Sequence, residues 1–200
     1  MREVRTRTLR QEHTEHTRRA LIDAAARMFA ERGYAATSID DVAGAARVTR
    51  GALYHHFPGK QAIFNAVCEA VDAAVVDRVR AAGRSTGSAE QRLRRVLDAY
   101  FEASRDPAYR AIVLGEAHKT QAFAESERYT PAMTDAIDDF VRSLAQEGEI
   151  VPENPEMLRR LLCAILYEVA ATTDDPAYSP AAEEYAKRVI CGLIFTDRRN

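Results

Sequence analysis

The chain has 200 residues, with 28 Lys and Arg against 30 Asp and Glu, and its net charge of −2 gives no overall signature of a polyanion partner. Its three cysteines stand singly among apolar neighbours, which argues against a disulfide framework or a Cys-x-x-Cys metal site. The polar N-terminus and the short apolar runs predict neither a signal peptide nor a membrane span, so we expect a cytoplasmic protein with no membrane partner. The charge is unevenly distributed, because residues 1–57 carry +3 and residues 58–200 carry −5.

Apolar residues recur every three or four positions along almost the whole chain, which predicts an all-α fold of about nine helices. The first apolar stripe ends at Gly33. A second, shorter helix is predicted after Ser38, which forms a capping box with Asp41 three residues later. A third helix is predicted to begin after its N-cap residue, Thr49. Three short helices between residues 17 and 57 therefore form the predicted N-terminal bundle.

A longer fourth helix is predicted from residue 63 to the Gly- and Ser-rich stretch 83–88, which is typical of a flexible joint. Ser88 is the predicted N-cap of the fifth helix. Four later helix starts are marked by a capping residue followed by proline. These pairs are Asp106-Pro107, Thr130-Pro131, Asn154-Pro155 and Ser179-Pro180.

The second and third predicted helices are separated by little more than residues 47–48, which is the spacing of a helix-turn-helix. At about 100° per residue, Leu53 and Phe57 share one face of the third helix, and we expect that face to be buried. Gly51 and His55 lie on the opposite face, flanked by small and polar residues. This outer face suits a helix that enters the major groove of DNA.

The stretch TSIDDVAGAARVTRGALYHHFPGKQAIF, residues 37–64, resembles the DNA-binding region of TetR-family transcriptional regulators. The family pattern runs roughly T-x-x-x-I-A-x-x-A-G-V-S-x-G-x-L-Y-x-H-F-x-x-K-x-x-L. The resemblance implies that Arg50 contacts a base. It also implies phosphate and groove contacts by Thr37, Thr49, Tyr54, His55 and Lys60.

Arg47 stands where the family pattern has the glycine of the turn. That position often requires a positive φ, so either the turn is of another type or Arg47 accepts backbone strain. Its side chain then serves a phosphate or is merely solvated, and both interpretations remain open. The complete set predicted to contact DNA is Thr37, Arg47, Thr49, Arg50, Gly51, Ala52, Tyr54, His55 and Lys60.

The N-terminal arm carries four arginines that either reach DNA, in the minor groove or along phosphates, or belong to a disordered tail. These are Arg2, Arg5, Arg7 and Arg10. We assign residues 1–60 to this arm and a helix-turn-helix DNA-binding domain. Residues 61–200 are assigned to a helical ligand-binding and dimerisation domain, as the resemblance implies, with the fourth helix bridging both.

Apolar residues cover so much of the helix around residue 160 that one packed face within a protomer does not use them all, which predicts a partner. With the last helix they predict a four-helix interface across the two-fold axis of a homodimer. Two recognition helices about 34 Å apart would then read a palindromic operator in double-stranded DNA. The predicted interface residues are Leu158, Leu162, Ile165, Val169, Tyr185, Val189 and Leu193.

An effector pocket is expected among the helices between residues 89 and 172. Aromatic residues at helical spacing belong more often to a core than to a pocket, so the lining is a set of candidates. These are Tyr100, Phe101, Tyr109, His118, Phe123, Met133, Phe140 and Tyr167. We expect an apolar or aromatic small molecule to bind there and to lower operator affinity.

The sequence thus predicts a TetR-like transcriptional repressor that needs no cofactor and no metal. Adjacent His55 and His56 point about 100° apart on a helix, which does not suit a zinc site. One alternative is a DNA-binding dimer whose second domain only dimerises or senses a protein. The other is a helical enzyme that uses Glu116 and His118, although no nucleophile elbow or phosphate-binding glycine loop is present.

Overall fold

The computed structural model describes residues 9–117, 129–172 and 179–195, and these ranges contain helices and no strand. The prediction of an all-α chain of about nine helices is confirmed. The helices are α1 (Leu9–Ala36), α2 (Ile39–Ala45), α3 (Arg50–His56), α4 (Lys60–Gly83), α5 (Ala89–Ala103), α6 (Pro107–Tyr109, continuing as a π-helical segment, Arg110–Glu116), α7 (Pro131–Gln146), α8 (Pro155–Thr172) and α9 (Ser179–Phe195).

Side-chain caps fix the predicted helix starts. The hydroxyl of Ser38 accepts a hydrogen bond from the backbone N–H of Asp41, and the Asp41 carboxylate accepts one from the backbone N–H of Ser38. Thr49 caps α3 through its hydroxyl, and Ser88 forms a second capping box with Gln91 at the start of α5. These caps satisfy backbone N–H groups that a helix leaves without partners.

Three of the four pairs of a capping residue and a proline act as predicted. Asp106, Thr130 and Asn154 each accept hydrogen bonds from backbone N–H groups in the first turn of the helix that follows. The fourth pair differs slightly, because α9 begins at Ser179 itself.

The first helix is longer than predicted. It begins at Leu9, eight residues before the predicted start at residue 17, and has 28 residues. The prediction was wrong because apolar periodicity marks only the buried part of a helix, whereas the polar turns before Leu21 lie largely exposed. Gly33 interrupts α1 with φ 79° and ψ 164°, as the end of the apolar stripe predicted.

The chain divides into two compact units, and the division falls inside α4, after Val67. The core of the first unit contains Leu53 and Phe57, both fully buried, so the predicted inner face of α3 is confirmed. The ring of Phe64 meets that of Phe29 edge to face, with centroids 5.1 Å apart. Because Leu53 and Phe57 pack into this core, the opposite face of α3 is turned outward.

The core of the second unit combines aliphatic residues with three fully buried tyrosines, Tyr100, Tyr109 and Tyr129. Buried phenols require hydrogen-bond partners, so these positions are chemically distinct from an ordinary apolar core. Within the described ranges no disulfide joins the cysteines, and no helix combines the length and apolarity that a membrane crossing needs.

The π-helical segment of α6 follows directly after Tyr109. A Cβ at Gly115 would lie 3.1 Å from the carbonyl oxygen of Arg110, so the wide turn here favours glycine. The hydroxyl of Tyr167 on α8 donates to the carbonyl of Leu114, and Arg110 donates to the carbonyl of Ala170. These bonds join α6 to α8 and hold Tyr109 in the core.

Candidate nucleic-acid interface and buried polar cluster

The outer face of α3 is open to solvent. Gly51 and His55 are exposed, and Tyr54 retains 43% of its accessible surface. A Cβ built on Gly51 would meet no heavy atom within 4 Å, so a DNA backbone or base edge has room to approach there. Ala52 is half-buried beside this face, and the exposed Thr49 accepts the N–H of Ala52 with its hydroxyl.

Arg50 is held in place at the N-terminus of α3 by two neighbours. Its Nη1 lies 3.1 Å from Oδ2 of Asp40 on α2, and its guanidinium carbon lies 5.6 Å from the ring centroid of Tyr54. Both partners raise the pKa of Arg50, the hydrogen bond of Tyr54 more than the charge of Asp40. These contacts lie on the open face of α3 and orient the Arg50 side chain there.

The turn between α2 and α3 places Arg47 at φ 57°. Of the two outcomes left open by the sequence, the structure therefore has the strained one, in the left-handed region that glycine adopts more readily. The backbone N–H of Arg47 donates to Gly44, and that of Val48 donates to Ala43. The side chain of Arg47 is exposed.

Two residues of the predicted DNA-contact set are engaged within the first unit. Thr37 is only 1% exposed, and its hydroxyl donates to the carbonyl of Gly33 at 2.9 Å, where it supports the break in α1. The ammonium of Lys60 donates to the carbonyl of Ala35 and lies 4.3 Å from the ring centroid of Tyr34. The side chain of Thr37 therefore has a structural role.

The two adjacent histidines differ in environment. The rings of His55 and His56 are 5.5 Å apart, and His55 is the exposed one. Burial lowers the pKa of His56, and the charges of His55 and Arg18 lower it further. Among the residues described, no three His, Cys, Asp or Glu side chains converge as they would around a metal ion.

The second unit contains a buried polar cluster, which we define as Asp72, Tyr100, Tyr109, Tyr129 and Thr130. The hydroxyl of Thr130 donates to Oδ2 of Asp72, and the hydroxyls of Tyr100 and Tyr129 are 2.7 Å apart. Burial raises the pKa of Asp72 to about 6, although the neighbouring hydroxyls of Thr130 and Tyr109 lower it in part. Burial likewise raises the pKa of Tyr109.

Sequence reasoning missed Asp72, the only carboxylate of this cluster. A usable signal was present, because Asp72 lies one turn after Cys68 and one turn before Val75 and Val76, all of which are buried. An acidic residue on the apolar stripe of a helix indicates a buried charge with a specific role.

The candidate pocket residues do not form one group. Four of them are fully buried: Tyr100, Phe101, Tyr109 and Met133. Tyr100 and Tyr109 belong to the cluster, and Phe101 and Met133 lie one and three residues after cluster members in the sequence. Phe140 instead lines a separate cleft with Gly83, and the hydroxyl of Tyr167 is bonded to α6. His118 and Phe123 lie outside the described residues, as do residues 1–8 of the arm.

The predicted dimer residues lie on two apolar helices that retain exposed surface. Tyr185 and Leu193 are exposed on α9, and Met157 and Leu161 are exposed on α8. Leu162 is buried within the protomer. The other four predicted interface residues are half-buried, namely Leu158, Ile165, Val169 and Val189.

A helix-turn-helix bundle that presents an open third helix, followed by a larger helical unit, defines a DNA-binding transcriptional regulator. Two family profiles match the chain in this same order. "Bacterial regulatory proteins, tetR family" matches residues 21–67, and "Tetracyclin repressor-like, C-terminal domain" matches residues 90–195. The chain belongs to the TetR family, and it is a transcriptional regulator and not an enzyme.

Similar proteins agree with this assignment. The Transposon Tn10 TetC protein of Escherichia coli is 28% identical over 153 residues, which cover 76% of this chain and 77% of TetC. The HTH-type transcriptional regulator UidR of Escherichia coli strain K12 is 24% identical over 188 residues, 92% of this chain and 96% of UidR. The crystal structure of a TetR-family transcriptional regulator from Pectobacterium atrosepticum superposes with a TM-score of 0.68 at 29% identity, covering 94% and 98% of the two chains.

Dimers that bind DNA and leave it when a small molecule binds are typical of this family. The expectations of DNA binding and of a regulator that is not an enzyme are therefore confirmed.

Proposed function

We propose that this cytoplasmic regulator reads its operator through the outer face of α3, with Arg50 as the residue that contacts a base. The observation that carries the proposal is the open face around Gly51, beside which Arg50 is held by Asp40 and Tyr54. An arginine restricted in this way loses less side-chain freedom when it forms a bidentate contact with guanine.

The other residues predicted to contact DNA differ in the chemical groups that they present. His55 and Tyr54 present hydrogen-bonding groups on the exposed face of α3, and Thr49 presents a hydroxyl beside its first turn. Arg47 presents its charge from the turn. Lys60 already donates one of its three ammonium N–H groups to the carbonyl of Ala35, so its contribution is expected to be smaller than that of Arg50.

The experiment is to select fragments of the host genome on the purified protein and to sequence what is retained. A palindromic consensus with two equal half-sites supports a dimer that reads bases. Retention without sequence preference, lost steeply as salt rises, would leave only electrostatic binding and contradict the proposal. His55→Ala is expected to weaken specific binding more than non-specific binding.

We further propose that α8 and α9 form the dimer interface. Four apolar side chains on these helices remain exposed in the protomer, namely Met157, Leu161, Tyr185 and Leu193. Apolar surface of this kind is normally covered by a partner. Leu161→Glu is expected to shift the molecular mass in solution from dimer to monomer, and an unchanged mass would move the interface elsewhere.

The effector is proposed to bind in the second unit. The support is the buried polar cluster, which places hydroxyl and carboxylate groups among aromatic rings. A library of small molecules is tested for an increase in thermal stability together with loss of operator binding, because a ligand that prefers the folded state raises stability. A complete absence of such compounds favours the alternative in which the second unit only dimerises or senses a protein.

A further inference from the structure

We propose that the buried polar cluster recognises a positively charged nitrogen that donates hydrogen bonds, so that the effector of this regulator is an amphipathic amine. The proposal rests on the proposed effector function and deepens it by naming the chemical class of the ligand. Its starting point is the side chain of Asp72, which has no solvent-accessible surface.

Asp72 is hydrogen-bonded on one side only. Its Oδ2 accepts the hydroxyl of Thr130, whereas its Oδ1 is buried and has no hydrogen-bond partner among the described residues. In the part of the chain that the structure describes, the groups that influence this carboxyl are the hydroxyls of Thr130 and Tyr109, and neither is a cation. A buried carboxylate left in this state is unfavourable, and a ligand that brings a positive charge and an N–H group would satisfy it.

Tyr109 offers a second acceptor at the same place. Its hydroxyl is buried beside Asp72 and Tyr100, but no residue that the structure describes meets it in hydrogen-bonding geometry. A nitrogen with several N–H groups would donate to both the phenol and the free carboxylate oxygen. The rings of Tyr100 and Tyr129 add aromatic surfaces, which also attract cations.

A cleft of about 380 Å³ adjoins the cluster, and it lies between α4, α5 and α6. Its lining includes Tyr109, and also Val71, the neighbour of Asp72 in sequence. A volume of this size suits a small molecule. The apolar part of the wall is formed by Val71, Ala74, Val75, Ala103 and Ala108.

The charged residues that line this cleft also favour a cation. Glu102 and Asp106 contribute two carboxylates, and Arg78 contributes one positive charge. The local excess of negative charge raises the concentration of cationic ligands at the site and lowers that of anions. A carboxylate ligand would also bring a second negative charge beside Asp72, and a purely apolar ligand would leave Oδ1 of Asp72 without a partner.

The test uses three probes with the same apolar chain: octylamine, octanol and octanoate. With the full-length protein, octylamine is expected to raise the melting temperature and to release the selected operator, with smaller effects of octanol and none of octanoate. The proposal is overturned if octanol or octanoate acts as strongly as octylamine. It is also overturned if octylamine gives no shift up to about 1 mM, the weakest affinity that a useful effector would have.

Asp72→Asn separates ligand recognition from a structural role, because the amide keeps the shape and loses the charge. The variant is expected to melt at the same or a higher temperature without probe, and to bind octylamine at least about tenfold more weakly while its response to octanol is unchanged. A marked fall in the melting temperature of the unliganded variant, or an unchanged octylamine response, would refute the assignment.

Asp77→Asn is the matched control, since Asp77 is an exposed acid on the same helix and its replacement changes the net charge equally. This control is expected to keep the octylamine response. If only compounds other than amines release the operator, the proposal of an effector site is supported and the proposal that the effector is an amine is wrong. If no compound of any class does so, both proposals fail.

Discussion

Two aspartates on helices show how differently the two units of this protein treat charge. Asp40 lies exposed on α2 and forms an ion pair with Arg50, whereas Asp72 lies fully buried on α4, where the described side chains that affect its pKa are the hydroxyls of Thr130 and Tyr109. Exposed ion pairs contribute little to stability, while a buried charge without a cationic partner is strongly unfavourable. The first unit therefore keeps the charges of Asp40 and Arg50 on its surface, and the second holds an unsatisfied carboxylate inside.

The largest expected effect is the pH dependence of folding stability that the buried carboxyl of Asp72 produces. Burial raises the folded-state pKa of this carboxyl from 3.8 to about 6. The folded protein thus binds the proton more tightly than the unfolded chain does, and stability falls as pH rises between these two values. Above the folded pKa, the loss attributable to Asp72 is about 3 kcal/mol.

Asp72→Asn is expected to remove this component, so that the variant gains stability relative to the wild type as pH rises from about 4 to 6. Denaturant unfolding at a series of pH values measures the difference, which separates Asp72 from the other carboxyl groups. Burial raises the pKa of Cys68 to about 12 and also raises that of Tyr109, so neither titrates in this window. Parallel pH curves for the two proteins would mean that Asp72 is compensated in the fold.

On the exposed side of the comparison, Arg50→Ala is expected to reduce specific operator binding by about tenfold to a hundredfold, the range for one good base contact. Binding to unrelated DNA is expected to change much less. Titrations of both DNAs at one fixed salt concentration measure the ratio. An equal loss on both would assign Arg50 to a phosphate.

Arg47→Gly tests the strain in the turn between α2 and α3. Glycine adopts the observed φ of 57° without the steric penalty of a side chain. The free energy of unfolding of the variant is therefore expected to be about 1 kcal/mol higher than that of the wild type. Thermal or denaturant unfolding measures this gain, and a loss of stability would contradict it. Operator binding by the same variant answers whether the Arg47 side chain also contacts DNA.

The smallest expected effect is that of Asp40→Asn, which is expected to reduce base preference at the position read by Arg50 by about threefold, because an exposed ion pair contributes little and Tyr54 still contacts Arg50 in the variant. Glu31→Gln, an exposed acid on α1, is the control for the change in charge. Operator selection with both variants measures the preference. An identical consensus from wild type and Asp40→Asn would show that Asp40 does not orient Arg50.

Local rules predicted the first unit well. The capping boxes, the burial of Leu53 and Phe57 and the exposed position of Gly51 all follow from spacing within a few residues. At Thr37 the match to the family pattern predicted a phosphate contact, whereas in the structure its hydroxyl donates to the carbonyl of Gly33 at the broken end of α1.

The sequence by itself determined that the chain is helical, where most helices begin and which face of α3 is turned outward, because caps and apolar periodicity act over one or two turns. Tertiary structure alone decided the state of Asp72, since the hydroxyls that affect it belong to Tyr109 and Thr130, far away along the chain. Tertiary structure likewise decided which aromatic residues share a site: Tyr100 meets Tyr129, whereas Phe140 lies in another cleft. Contacts between residues distant in sequence leave no periodic trace in the chain, so only the folded arrangement of helices reveals them.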